Sequence, residues 1–231
     1  MNTELCVLIP SARFSNLEGC VLSILANEQW MPPERIIVVD DGARADAKPG
    51  FPSVTWVQGI KPFIIDRNLN IGIRAANGMD IVYINDDARL KTPGGFSAMV
   101  KAAKSGSGKN HLLSAAIDGY VGNPNQHPSG SGIRPEPGEI AFICICLTNQ
   151  VYTEVGPFDE RFDGYGGDDN DYCRRTREKG IMIAIYDDCI VSHGEVPSTF
   201  RTLPNIHSLM RRGRILYRMK LLEEERRREQ G

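Results

Sequence analysis

A chain of 231 residues, 41% hydrophobic and 24% charged, has the composition of one globular domain with a proper core. Its 27 Lys and Arg against 29 Asp and Glu give a formal net charge of -2, which excludes an overall electrostatic drive toward nucleic acid or an anionic membrane. No apolar run reaches eighteen residues and MNTELCVLIP lacks the basic and long apolar regions of a secretory signal, so a cytoplasmic protein is expected.

In chain order, ELCVLIP is a short apolar run ending at Pro10, and from Ser15 to Ala26 the residues Leu17, Val21, Leu22 and Leu25 share one helical face. RIIVVDDG has four apolar residues in succession, the pattern of a strand buried on both faces, and stops at Asp40, Asp41 and a turn glycine. A third short strand over 54–58 follows, then a helix over 67–77, then the buried strand of DIVYINDD and a helix in TPGGFSAMVKAAK. Alternating strand and helix predict an α/β fold: an open, mostly parallel, doubly wound sheet flanked by helices. Ligands of such sheets bind beyond the carboxyl ends of the strands, where Pro10, Asp40, Asp41 and 85–87 fall.

Residues 119–138 hold five Gly and four Pro, too many for a regular element, and read as a mobile loop, either a substrate lid or a connector. EIAFICICL is the next strand, followed by a short helix near Val151, the loop GPFDERFDGYGG, a helix over 168–179 and the strand IMIAIYD. From Leu209 to Gln230, eight Lys or Arg and four Glu accompany apolar residues at helical spacing. This C-terminal amphipathic helix admits three roles: packing on the body, a homo-oligomer contact, or a basic surface toward an anionic partner such as a membrane or nucleic acid. The expected division is a catalytic domain over 1–203, with a nucleotide-binding half to residue 90 and an acceptor-binding half beyond, and the basic helix over 204–231. A location peripheral to a membrane would follow from the third role. The six cysteines contain no CxxC pair and read as reduced packing thiols.

Two acidic groups carry chemistry. Asn85, Asp86 and Asp87 end a buried strand, where carboxylates can hold a divalent cation against a leaving diphosphate. Strand alternation turns Asp86 and Asp87 in different directions and gives them different tasks, one on the metal and one on the donor's ribose or sugar. YGGDDNDYCRRTREKG begins with a glycine turn and crowds acids into the first helical turn, where the helix N-terminus favours their ionised form and one of them can act as a general base. His193, after the apolar run in IVSHG, is a candidate metal ligand; imidazole mixed with carboxylate suits Mn²⁺ better than Mg²⁺.

These residues resemble an inverting glycosyltransferase of the GT-A fold, similar to family-two enzymes and, at several motifs, to β-1,4-galactosyltransferases, over most of Leu5 to His193. VLIPSAR and IIVVDDG resemble the family's opening, which implies that Pro10, Ser11 and Asp41 contact the nucleotide of a nucleotide-sugar donor. NIGIRAANGMDIVYINDD resembles its middle. Where the family writes Asp-x-Asp this chain has Asn85-Asp86-Asp87, so the metal role falls on Asp87, with Asp86 toward the donor. VGPFDERFDGYGGDDNDYCRR resembles the acceptor segment: by that match Asp169 is the catalytic base, and Tyr165, Gly167 and Asp168 serve the acceptor hydroxyl. SHG matches a late metal ligand at His193. The resemblance implies Mn²⁺ or Mg²⁺, a UDP-sugar donor and direct displacement; Arg13 and Arg67 are candidate phosphate or base contacts. Two rival readings are a nucleotidyltransferase, which would need a Gly-rich phosphate loop that LIPSARFSN lacks, and a non-catalytic carbohydrate-binding module.

Overall fold

The computed structural model describes residues 5–43, 53–163, 165–196 and 205–229. Among the described residues nine strands form one sheet: β1 (Leu5–Ser11), β2 (Ile36–Asp40), β3 (Thr55–Gln58), β4 (Asp80–Ile84), β5 (Ala88–Leu90), β6 (Leu112–Gly119), β7 (Ile133–Pro135), β8 (Cys144–Leu147) and β9 (Ile183–His193). Their order is β3-β2-β1-β4-β8-β6-β9-β5, with β7 paired to β9. The first four strands run parallel, and β8 reverses the direction between β4 and β6. β6 and β9 are parallel, while β5 and β7 pair with β9 antiparallel.

Every residue of β1, β2 and β4 is buried, as the unbroken apolar runs require. Alternation along β1 sends Leu5, Val7 and Ile9 into one core and Cys6 and Leu8 into another. The first core lies under α1 (Phe14–Asn27), through Leu17, Cys20, Val21 and Ile24, and under α3 (Gly95–Ala103), through Phe96, Met99 and Val100. The second core takes Leu69 and Ile71 from α2 (Ile65–Ala75). It also takes Val151 and Val155 from α4 (Asn149–Val155), and Tyr172 and Cys173 from α5 (Asp168–Glu178). Helices therefore cover both faces, as expected of an open, helix-flanked α/β layer, but the sheet is mixed rather than mostly parallel: four strand pairings are parallel and four antiparallel, because β8 reverses the direction and β5 and β7 flank β9 antiparallel. All six cysteines are free and buried, and burial pushes each thiol upward, away from reactivity.

Two expectations need correction. The strand expected over EIAFICICL is confined to Cys144–Leu147, because 140–143 turns toward the acidic residues. Residues 119–138, expected to hold no regular element, contain a 3₁₀ turn, Pro124–Gln126, and β7, tied to the sheet by side-chain hydrogen bonds. Fully buried Gln126 donates to Ser114 Oγ at 2.7 Å and to the Ala141 carbonyl at 3.0 Å, and its amide oxygen accepts from Ala141 N–H at 2.7 Å. Arg134 grips Asp187 with two nitrogens, at 2.9 and 3.1 Å, where the β6–β9 register skips. Gly and Pro here supply turns between anchors rather than freedom.

Candidate active site

Parallel pairing brings the carboxyl ends of the first strands together: Ser11 of β1 lies in register with Asp40 of β2, and Leu8 with Tyr83 of β4. Beyond these ends Ser11 Oγ donates to Asp86 Oδ2 at 2.7 Å, and Asn16 also hydrogen-bonds Asp86. Burial nevertheless dominates and pushes the Asp86 carboxyl up to about 6, against the lowering effect of the Ser11 hydrogen bond. Pro10 stands one residue before Ser11 in the same strand, and Arg13 N–H returns to Ser11 Oγ at 3.3 Å. Asp41, buried, is ion-paired with Lys61 at 3.0 Å, and its N–H donates to the Ser11 carbonyl. Arg67, in the first turn of α2, pairs with Glu160 at 3.4 Å.

Asp87 turns away from Asp86 and faces His193 at the end of β9, with Oδ1 3.4 Å from Nε2. Both side chains are less than a tenth exposed. The other ring nitrogen, Nδ1, meets the Tyr120 carbonyl, which can only accept, so Nδ1 carries hydrogen and Nε2 is directed at the carboxylate. A carboxylate and an imidazole oriented from behind by a carbonyl form a donor set suited to a divalent cation. Among the described residues no group of three or more His, Cys, Asp or Glu converges, so these two side chains would supply only part of a cation's shell.

The second acidic pair opens α5. Gly166 and Gly167 have φ of 88° and 96°, left-handed values that a side chain would resist, and they turn the chain into the helix. Asp168 is held by the backbone N–H groups of Gly166, Asp168 and Asp169, which oppose the upward push of its burial. Asp169 accepts from one N–H, that of Phe142, at 3.1 Å. Burial first and the Asp168 charge second hold its carboxyl well above the ordinary range. Beneath it Phe158 and Tyr172 stack at 4.1 Å, and Phe142 meets both edge-on. Asp171 belongs to structure, balanced by Arg175 at 2.8 Å and Lys220 at 2.7 Å.

Residues 142 and 143 link the two pairs: the Ile143 carbonyl accepts from Asn85 N–H at 2.9 Å, and Phe142 N–H donates to Asp169. Burial first, and then the charges of Asp169, Asp87, Asp168 and Asp86, push the Tyr83 phenol upward; burial and the Asp168, Asp86 and Asp87 charges do the same at Tyr165. A groove of about 470 Å³ opens on Asp169 and Asn170, walled by 122–125, Glu136 and 138–141. Sequence reasoning missed Tyr83, which reads as one more core residue of an apolar strand. It also missed Asn16, the Tyr120 carbonyl, and Asp66, a buried acid near Asp168 and Asp169 whose carboxyl burial pushes up. Only the last had a visible signal, an acid in the first turn of a helix.

Residues 140–196, which include Asp168, Asp169 and His193, match the family model described as the N-terminal domain of galactosyltransferase. No curated protein matches by sequence. Among solved structures, GalNAc-T7 with UDP, GalNAc and Mn²⁺ superposes with a TM-score of 0.63 at 13% identity, over 82% of this chain and 43% of that one. Residues 1–349 of TarS from S. aureus give 0.59 at 13%, over 83% of this chain and 60% of that one. The mannosyltransferase PcManGT from Pyrobaculum calidifontis, in complex with GDP-Man and Mn²⁺, gives 0.59 at 15%, over 85% and 58%. The chain thus spans about half the length of these structures. At such identities the likeness is one of fold, and that fold is the GT-A architecture of glycosyltransferases.

Proposed function

We propose that this chain is a metal-dependent inverting glycosyltransferase that moves a sugar from a nucleotide-diphosphate sugar, with UDP as the carrier, to an acceptor hydroxyl. One observation carries the reading: the backbone of Phe142 and Ile143 joins two pairs of neighbouring acids from distant segments, the Ile143 carbonyl accepting from Asn85 N–H at 2.9 Å and Phe142 N–H donating to Asp169 at 3.1 Å, and in each pair the members have different partners. Asp87 and His193 would hold Mn²⁺ or Mg²⁺, which supplies positive charge for the departing diphosphate. Ser11, Asp86 and Asp41 would hold the nucleoside or sugar, with Pro10 and Arg13 beside them. GalNAc-T7 with UDP, GalNAc and Mn²⁺, and PcManGT in complex with GDP-Man and Mn²⁺, support a nucleotide-sugar donor and a divalent metal.

Asp169 takes the proton of an acceptor hydroxyl lying in the groove; that oxygen bonds the anomeric carbon as the bond to the diphosphate breaks, so configuration inverts. Its elevated carboxyl makes it a better proton acceptor once ionised. Asp168, bound by three N–H groups, orients the acceptor, with Tyr165 and Gly167 beside it. The test is thermal stability with UDP, dTDP, GDP and ATP, each with and without Mn²⁺. A rise in melting temperature requiring both Mn²⁺ and UDP supports the reading. No rise with any nucleotide removes the donor site, and with it the transferase.

A further inference from the structure

The C-terminal helix α6 (Ile206–Glu229) runs beside α5 in the same direction: Gly213 meets Gly167, Lys220 meets Asp171, Glu224 meets Arg174 and Arg228 meets Glu178. Of its described residues only Gly213 is buried, while Ile215, Met219 and Leu222 are about half exposed. The helix therefore adds little to the hydrophobic core. Its closest contact is with the turn that leads into the acidic pair. A Cβ built on Gly213 would stand 1.9 Å from the Gly166 carbonyl oxygen and 2.8 Å from that of Tyr165. A Cβ built on Gly167 would stand 2.7 Å from the Gly213 carbonyl oxygen. Such distances lie inside any carbon–oxygen contact, so the two backbones touch directly and only glycine on both sides permits it.

Charge fixes the register of this contact. Lys220, 11% exposed, reaches Asp171 at 2.7 Å and Asp159 at 2.9 Å. Arg174 reaches Glu224 at 2.8 Å, and at the start of the helix Arg212 reaches Asp163 at 2.7 Å. These pairs clamp α6 at both sides of the glycine turn. The turn also holds the acidic pair: Gly166 N–H bonds the Asp168 carboxylate, and Asp168 and Asp169 open α5 directly after Gly167. Displacement of the turn therefore moves Asp168 and Asp169.

We propose that α6 is a strap that sets the position of the Tyr165–Gly167 turn, and through it of Asp168 and Asp169, with Gly213 as the positioning residue at the point of contact. The catalytic consequence rests on the reading of Asp169 as base; the mechanical one does not. A methyl group at Gly213 must push helix or turn apart, whereas a substitution on the outward face, such as Met219→Ser, leaves the contact intact.

The experiment compares wild type, Gly213→Ala, Gly213→Val and Met219→Ser in two measurements. In the first, hydrogen exchange of peptides covering 158–172 should quicken in Gly213→Ala, and more in Gly213→Val, while peptides of β1, β2 and β4 keep wild-type protection. In the second, UDP release from UDP-galactose and UDP-N-acetylgalactosamine with Mn²⁺ should fall at least tenfold in kcat for Gly213→Ala, with UDP–Mn²⁺ affinity within twofold of wild type. Met219→Ser should match wild type in both. Unchanged exchange at 158–172 in Gly213→Ala overturns the strap, as does quickened exchange spread evenly over the sheet, which would make α6 a general support. If wild type releases no UDP while exchange responds locally, the transferase reading fails and the strap stands.

Discussion

The two pairs of adjacent acids invite comparison, because the sequence writes them almost identically and the structure treats them differently. Asp86 and Asp87 form the turn between β4 and β5, closed by Ala88 N–H donating to the Asn85 carbonyl at 3.1 Å, and their side chains part there: one meets Ser11 and Asn16, the other His193. Asp168 and Asp169 open a helix, so the first is wrapped by the N–H groups of its own turn and the second projects to Phe142 and the groove. A tight turn splits one pair between two partners, while a helix start splits the other between a cap and an acid on the groove. In both cases the backbone, rather than the residue type, assigns the task.

The sharpest way to break this comparison is to remove the acid on the groove. Asp169→Asn should lower transfer by roughly 10²–10⁴-fold, the range for a general base, with UDP–Mn²⁺ binding unchanged by calorimetry. Full transfer in that variant would transfer the base role elsewhere. Next in size, Asp87→Ala should weaken UDP binding by about tenfold or more in Mn²⁺ and leave any metal-independent binding alone, as read from melting-temperature shifts across a nucleotide titration. Equal weakening with and without Mn²⁺ would make Asp87 a nucleotide contact instead.

Two smaller effects test the electrostatics. Asp169 must be ionised to accept a proton, so activity should rise with pH along an acid limb displaced above the ordinary carboxylate range. Asp168→Asn removes the nearest like charge and should move that limb to lower pH, whatever happens to the maximal rate. A limb that stays put would mean that Asp168 does not act on Asp169 through its charge. Asp86 gives the last effect, on stability. Its folded carboxyl sits at about 6, above its unfolded value near 4, so its contribution is present below about pH 4 and lost as pH rises through about 6. The melting temperature of the ligand-free chain, relative to Asp86→Asn, should therefore decline between pH 4 and 7; a flat difference would show that Ser11 and Asn16 fully offset burial.

Much of this was legible in one dimension. Unbroken apolar runs at Val7, Val38 and Val82 announced strands buried on both faces, because only a sheet covered by helices on each side can hide such side chains. The acids terminating those runs fell at the carboxyl ends by chain direction alone, and the glycine turn before Asp168 announced a helix start. Local rules reach that far because period, cap and turn act over a few residues. They could not show that β8 enters antiparallel between β4 and β6, since pairing depends on long-range register. Nor could they show that Gln126 and Arg134 fasten a segment whose composition promised mobility. Tyr83 gave no sign that its hydroxyl bonds Asn85 beside the acids, and Gly213, one glycine in a charged helix, none of touching Gly166. The sequence by itself determined which residues end strands and begin helices; tertiary structure decided which ends meet, because burial, like-charge proximity and backbone contact exist only between segments folded against each other.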